Sequence, residues 1–146
     1  MLPTISLSIF TLYWVMIALI YGVQKSISDS FYCLPIRARG LFTIVLVGFS
    51  IPVMIFADNT LMFLAGSAIV FVGAASDFKR DITKVWHYAA AVIGITLGMA
   101  SLIIDYGRIE LVILFVVISI ILRFTKSNFI WWIEIIAFYL ILIGIL

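Results

Sequence analysis

The chain has 146 residues, of which 66% are apolar and 11% charged, with a formal net charge of +2 and a mean hydropathy of +1.33. A soluble domain is roughly half apolar and about a quarter charged, so this composition excludes an ordinary water-soluble globule and points to an integral membrane protein. At about 20 residues per crossing the chain fits six spans and no separate soluble domain, and its few, scattered basic residues exclude a nucleic-acid-binding surface.

Residues 1–146 are therefore expected to form a single transmembrane helical domain, with the lipid bilayer as its first partner. The first apolar segment runs from Ile5 to Val23. It has no basic leader and no small-residue cleavage site, so a retained span is expected and not a removed signal peptide. The polar stretch "SISDSFYCLP" follows, with Ser26, Ser28, Asp29, Ser30, Tyr32 and the lone Cys33. One cysteine can form neither an internal disulfide nor a thiolate-rich metal centre.

The second segment, Leu41 to Ala57, carries Pro52, which removes a helical hydrogen bond at mid-span and predicts a kink. The third, Leu61 to Phe78, is rich in small residues: Gly66, Ser67, Gly73, Ala74, Ala75 and Ser76. The fourth, Val85 to Ile104, places His87, Ala91, Gly94 and Gly98 at spacings of four, three and four, one stripe of a helix. A central hairpin of segments three and four follows, with the histidine pointing inward. Gly94-x-x-x-Gly98 lets a second helix approach closely, either within the chain or in a homodimer.

The fifth segment, Ile109 to Leu122, is the shortest, and extension through Arg123 and Phe124 with a snorkelling arginine relieves the mismatch. The sixth, Phe129 to Leu146, puts Glu134, Ala137, Ile141 and Gly144 on one stripe.

Lysine and arginine give the orientation, because they accumulate in cytoplasmic loops. Lys25, Arg37 and Arg39 follow segment one; Lys79, Arg80 and Lys84 follow segment three; Arg123 and Lys126 follow segment five. Only Arg108 falls on the other side. The expected fold is thus an all-α bundle of six transmembrane helices with odd loops cytoplasmic and both termini outside, in the cell inner (plasma) membrane. Trp86, Trp131, Trp132, Tyr32 and Tyr88 are expected at the cytoplasmic interface, Tyr106 at the opposite one, and Trp14 and Tyr139 near mid-span.

An ionisable side chain inside a span costs at least about 2.5 kcal/mol, so it faces a partner or water. His87 and Glu134 stand at similar depth inside the cytoplasmic edge, level with Asp29 and Asp77. A cytoplasm-facing polar site lined by Asp29, Asp77, His87 and Glu134 is expected. Each has a plainer role open to it: His87 as a hydrogen-bonded packing residue, Glu134 paired with Arg123 or Lys126, Asp77 and "SISDS" as caps or turns. Glu110 reads as an inert snorkelling group. With one histidine and one cysteine in the chain, no metal and no other cofactor are expected. Ser28 or Ser76 with His87 and Asp77 contains the residue types of a serine hydrolase, though no nucleophile elbow accompanies them.

The combination of "SISDSFYCLP" with "VGAASDFK" and "VWHY" resembles a family of short polytopic membrane proteins of bacteria and their phages. That resemblance implies a patterned cytoplasmic face on segments one, three and four, and carries no activity. Ser76, Asp77 and His87 also bear a fainter likeness to the membrane hydrolases that include alkaline ceramidases, which would imply a metal site and lipid hydrolysis. Those proteins have a seventh helix and further histidines that this chain lacks.

Three functions follow as expectations: binding or transport of a small ligand, a lipid or a proton through the polar site; hydrolysis of a lipid within the membrane; or a non-catalytic structural or interaction role.

Overall fold

A computed structural model describes residues 2–77, 79 and 81–146, with only the backbone of Leu2, Pro3 and Asp81. Arg80, of the expected basic cluster, and Phe78, the expected end of the third segment, lie outside the described residues. The chain is all-helical, with no strand among those residues. Its elements are α1 (Leu2–Tyr21), α2 (Ser30–Cys33), a 3-10 turn (Ile36–Ala38), α3 (Gly40–Phe56), α4 (Thr60–Ala74), α5 (Asp81–Ile104), α6 (Ile109–Thr125) and α7 (Phe129–Gly144).

Each apolar segment contributes one helix, from 15 to 24 residues long. Three stretches, Thr4–Tyr21, Ile36–Phe56 and Ile82–Ile104, are long and apolar enough to cross a membrane, whereas α4 and α7 are apolar but shorter. Helix α3 continues through Pro52. The Ser6 hydroxyl of α1 donates to the Phe49 carbonyl at 3.0 Å, three residues before the proline. Two helix ends rest on glycine: Gly22 after α1 and Gly107 after α5 have φ of +79° and +64°, a region that costs glycine nothing because it lacks a Cβ. Asn59 caps α4 by accepting the Met62 N–H at 2.8 Å.

Helix α1 packs against α3 and α7, α3 against α4, α4 against α5 and α5 against α7, so five helices close a ring. Helix α6 lies outside it on α5 and α7 and buries no residue. Phe10, Phe49 and Phe138, from α1, α3 and α7, fill the centre, with ring centroids 4.8 to 5.4 Å apart.

The α4–α5 pair is the most extensive contact, as the hairpin expectation required. A Cβ on Gly94 would stand 2.7 Å from Ile69 Cδ1, and one on Gly98 would stand 2.5 Å from Ile141 Cδ1. Gly94 thus lies against α4 and Gly98 against α7 of the same chain.

Loops fall at two ends. Segments 22–39, 75–77 and 126–128 are joined at one end by Tyr32 to Asp77, Asn128 to the Val23 carbonyl and, just beyond, the Trp131 N–H to the Lys25 carbonyl. At the other end Ser101 Oγ lies 3.0 Å from Asn59 Oδ1 and 2.7 Å from Asp105 Oδ2.

One aromatic expectation is corrected. Trp131 does not present its ring to the surroundings: it is fully buried, 0% exposed, and its backbone N–H donates to the Lys25 carbonyl of the 22–39 connector. Trp86 and Tyr88 do stand exposed, while Trp14 donates to the Tyr139 hydroxyl at 3.1 Å, a packing role.

Candidate functional site

The connector 22–39 folds back into the mouth of the ring and builds the site. Its polar residues find partners on four sides. The Tyr13 hydroxyl lies 2.6 Å from Ser30 Oγ, Ser26 donates to Asp29 Oδ2 at 3.0 Å, and the Ile27 N–H donates to Glu134 Oε2 at 2.6 Å. A carboxyl oxygen so placed satisfies a backbone group that would otherwise be stranded in a largely apolar setting.

His87 is buried, 1% exposed. Its Nδ1 lies 3.0 Å from the Ala75 carbonyl and its Nε2 2.8 Å from Ser28 Oγ. A carbonyl only accepts, so Nδ1 carries the proton, and in the neutral ring Nε2 accepts from the serine hydroxyl. The geometry also explains how α4 ends. Its last-turn carbonyls have no helical donors; Thr43 donates to the Gly73 carbonyl at 2.9 Å, and His87 takes that of Ala75 just beyond.

Asp77 accepts from the Tyr32 hydroxyl at 3.0 Å, and its backbone carbonyl accepts from Thr83. The Tyr32 hydroxyl in turn accepts the Lys79 N–H at 2.7 Å. Burial, with Asp77 beside it, pushes the Tyr32 phenol above its usual range, so at neutral pH it remains a donor. Burial and, after it, the neighbouring Asp29 also push the Cys33 thiol up.

The four expected residues therefore gather at one mouth, each bonded to the connector or part of it. Glu134 pairs with a backbone N–H and not with Arg123 or Lys126. Glu110 is exposed at the far end beside Arg108, 3.5 Å away. Ser28, Ile27, Tyr32 and Thr43 complete the arrangement. For Ser28 and Tyr32 the signal in the sequence is the density of hydroxyls in "SISDSFY"; Thr43 and the Ile27 N–H have none, and the partners of all four leave no trace there.

A small cavity of about 20 Å³ lies against Ile27, Ser28, Glu134 and, from the helices, Leu46, Ile69, Val72 and Phe138. That is room for one water, which needs some 10 to 15 Å³, and too little for an organic ligand. Among the described residues no three His, Cys, Asp or Glu side chains cluster as metal ligands. Comparison of the chain with protein families, curated proteins and solved structures finds no match.

Proposed function

We propose that the chain is a six-span protein of the cell inner membrane, its odd loops cytoplasmic and its ends outside, whose polar mouth binds and releases a proton at Glu134. One observation carries this reading: the Glu134 carboxyl shares a water-sized cavity with Ser28, and Ser28 is hydrogen-bonded to His87. Hydroxyl, imidazole, carboxyl and one water can each pass a proton on. The cavity's size favours a proton over a small organic ligand or a lipid. Above it the walls are apolar, so exchange runs to the connector side alone. Because the Glu134 carboxyl holds the Ile27 N–H, its charge state bears on how firmly the connector is seated.

The test is a pH jump on the protein in lipid vesicles, read by infrared difference spectra of carboxyl groups. A protonation band lost in Glu134→Gln is expected; an unchanged band overturns the reading.

Hydrolysis of a lipid is the second reading, favoured by the 2.8 Å contact of Ser28 Oγ with His87 Nε2, the relation of a nucleophile to its base. The ring is oriented by the Ala75 carbonyl in the place a carboxylate takes in the familiar triad. Loss of ester hydrolysis in Ser28→Ala, with the fold retained, is its test.

A further inference from the structure

The ring of Tyr32 holds two cations. Lys79 Nζ sits 4.0 Å from its centroid and Arg39 Cζ 5.6 Å, both within the roughly 6 Å range of cation–π attraction. Arg39 also lies 5.2 Å from the Phe31 ring. The hydroxyl of Tyr32 is fixed by Asp77 and by the Lys79 N–H, so the aromatic platform cannot turn away.

Among the described side chains neither cation has a carboxylate within ion-pair distance; Arg108 and Glu110 form their ion pair at the opposite end. Arg39 spends Nε on the Leu34 carbonyl at 3.4 Å, and its terminal nitrogens have no acceptor among the described residues. Asp77, bonded to the tyrosine, offsets part of the charge. Both cations lie within cation–π range of one ring, and an anion close to both would offset their mutual repulsion.

At this end an apolar furrow runs along the α4–α5 seam. It has two stretches of about 340 and 360 Å³ with Phe71 and Trp86 as shared walls, and the first includes Ala75, four residues before Lys79. A lipid chain fits such a surface, and a free phosphate has no use for it.

We propose that Arg39 and Lys79, held against Tyr32, bind the phosphate of an anionic phospholipid from the leaflet this end faces. The inference rests on the membrane reading above. Basic pockets of this kind on the cytoplasmic side take acidic head groups, each cation contributing roughly fivefold in affinity.

The test uses the full chain in bilayer discs of phosphatidylcholine with and without phosphatidylglycerol, followed by native mass spectrometry of retained lipid. Preferential retention of phosphatidylglycerol is expected, weakened roughly 25-fold in Arg39→Gln/Lys79→Gln and unchanged in Lys126→Gln. Should the double variant not fold, exposed Lys79→Gln alone serves, since it keeps the backbone N–H on Tyr32. Equal retention in wild type and variant overturns the proposal, as does an equal loss in Lys126→Gln, which would mean diffuse attraction. Displacement of the lipid by inorganic phosphate alone, at comparable concentration, overturns it in favour of a soluble anion. A chain that inserts into phosphatidylcholine yet shows no preference refutes this site only; one that does not insert refutes the membrane reading.

Discussion

Glu134 Oε2 and the backbone N–H of Ile27 meet at 2.6 Å across 107 residues of sequence, tying α7 to the connector that closes the ring. An amide oxygen can take over that bond, whereas an alkyl group cannot. Glu134→Gln is expected to keep near wild-type stability, and Glu134→Ala to lose about 1 to 3 kcal/mol by stranding the N–H. Denaturation in mixed micelles, followed by helicity, measures both. A larger loss in the glutamine variant would mean that charge, and not the hydrogen bond, holds the segment.

Ser28 and His87 are expected to be coupled. Ser28→Ala removes one donor and His87→Ala strands both Ser28 and the Ala75 carbonyl, so the second should cost more, by up to about 3 kcal/mol. A double-mutant cycle with a coupling of at least about 0.5 kcal/mol is the expected result; strict additivity would mean that the contact carries no weight.

Sidedness can be read with cysteine reagents. In a Cys33→Ser background, single cysteines at 79 and 126 should label from one side of the membrane and those at 58 and 108 from the other. The native Cys33 should react slowly at neutral pH, since its raised pKa leaves little thiolate. Labelling of 79 and 108 from the same side would overturn the six-span arrangement.

Gly98 faces Ile141 of α7. Leucine there must displace the isoleucine and part the two helices, at a cost of about 1 to 3 kcal/mol. The loss should appear as a lower unfolding midpoint without a change in oligomeric state. A shift in oligomeric state would place Gly98 in a contact between copies.

Raising the pH through the phenol range is expected to loosen the connector. The folded pKa of Tyr32 lies above its unfolded value, so its contribution is intact below about pH 10 and is lost as the pH climbs through the folded pKa. Hydrogen exchange at residues 30–34 should rise there, with no such step in Tyr32→Phe.

The sequence by itself determined the six apolar helical segments, their approximate ends, the end of the bundle at which the basic loops gather and the inward stripe of His87, Gly94 and Gly98. These follow from hydropathy, charge and helical period, which act over a few residues at a time. It also brought Asp29, Asp77, His87 and Glu134 to one level, because depth along a helix can be counted. Only the tertiary structure decided what each would touch: Glu134 the Ile27 N–H in place of a nearby lysine, His87 the Ala75 carbonyl and Ser28, Gly98 its own chain's Ile141, and the Trp131 N–H the Lys25 carbonyl of the connector. The reason is that a polar group in an apolar surrounding takes whichever unsatisfied partner the fold brings within 3 Å, and here those partners are separated by 12 to 107 residues.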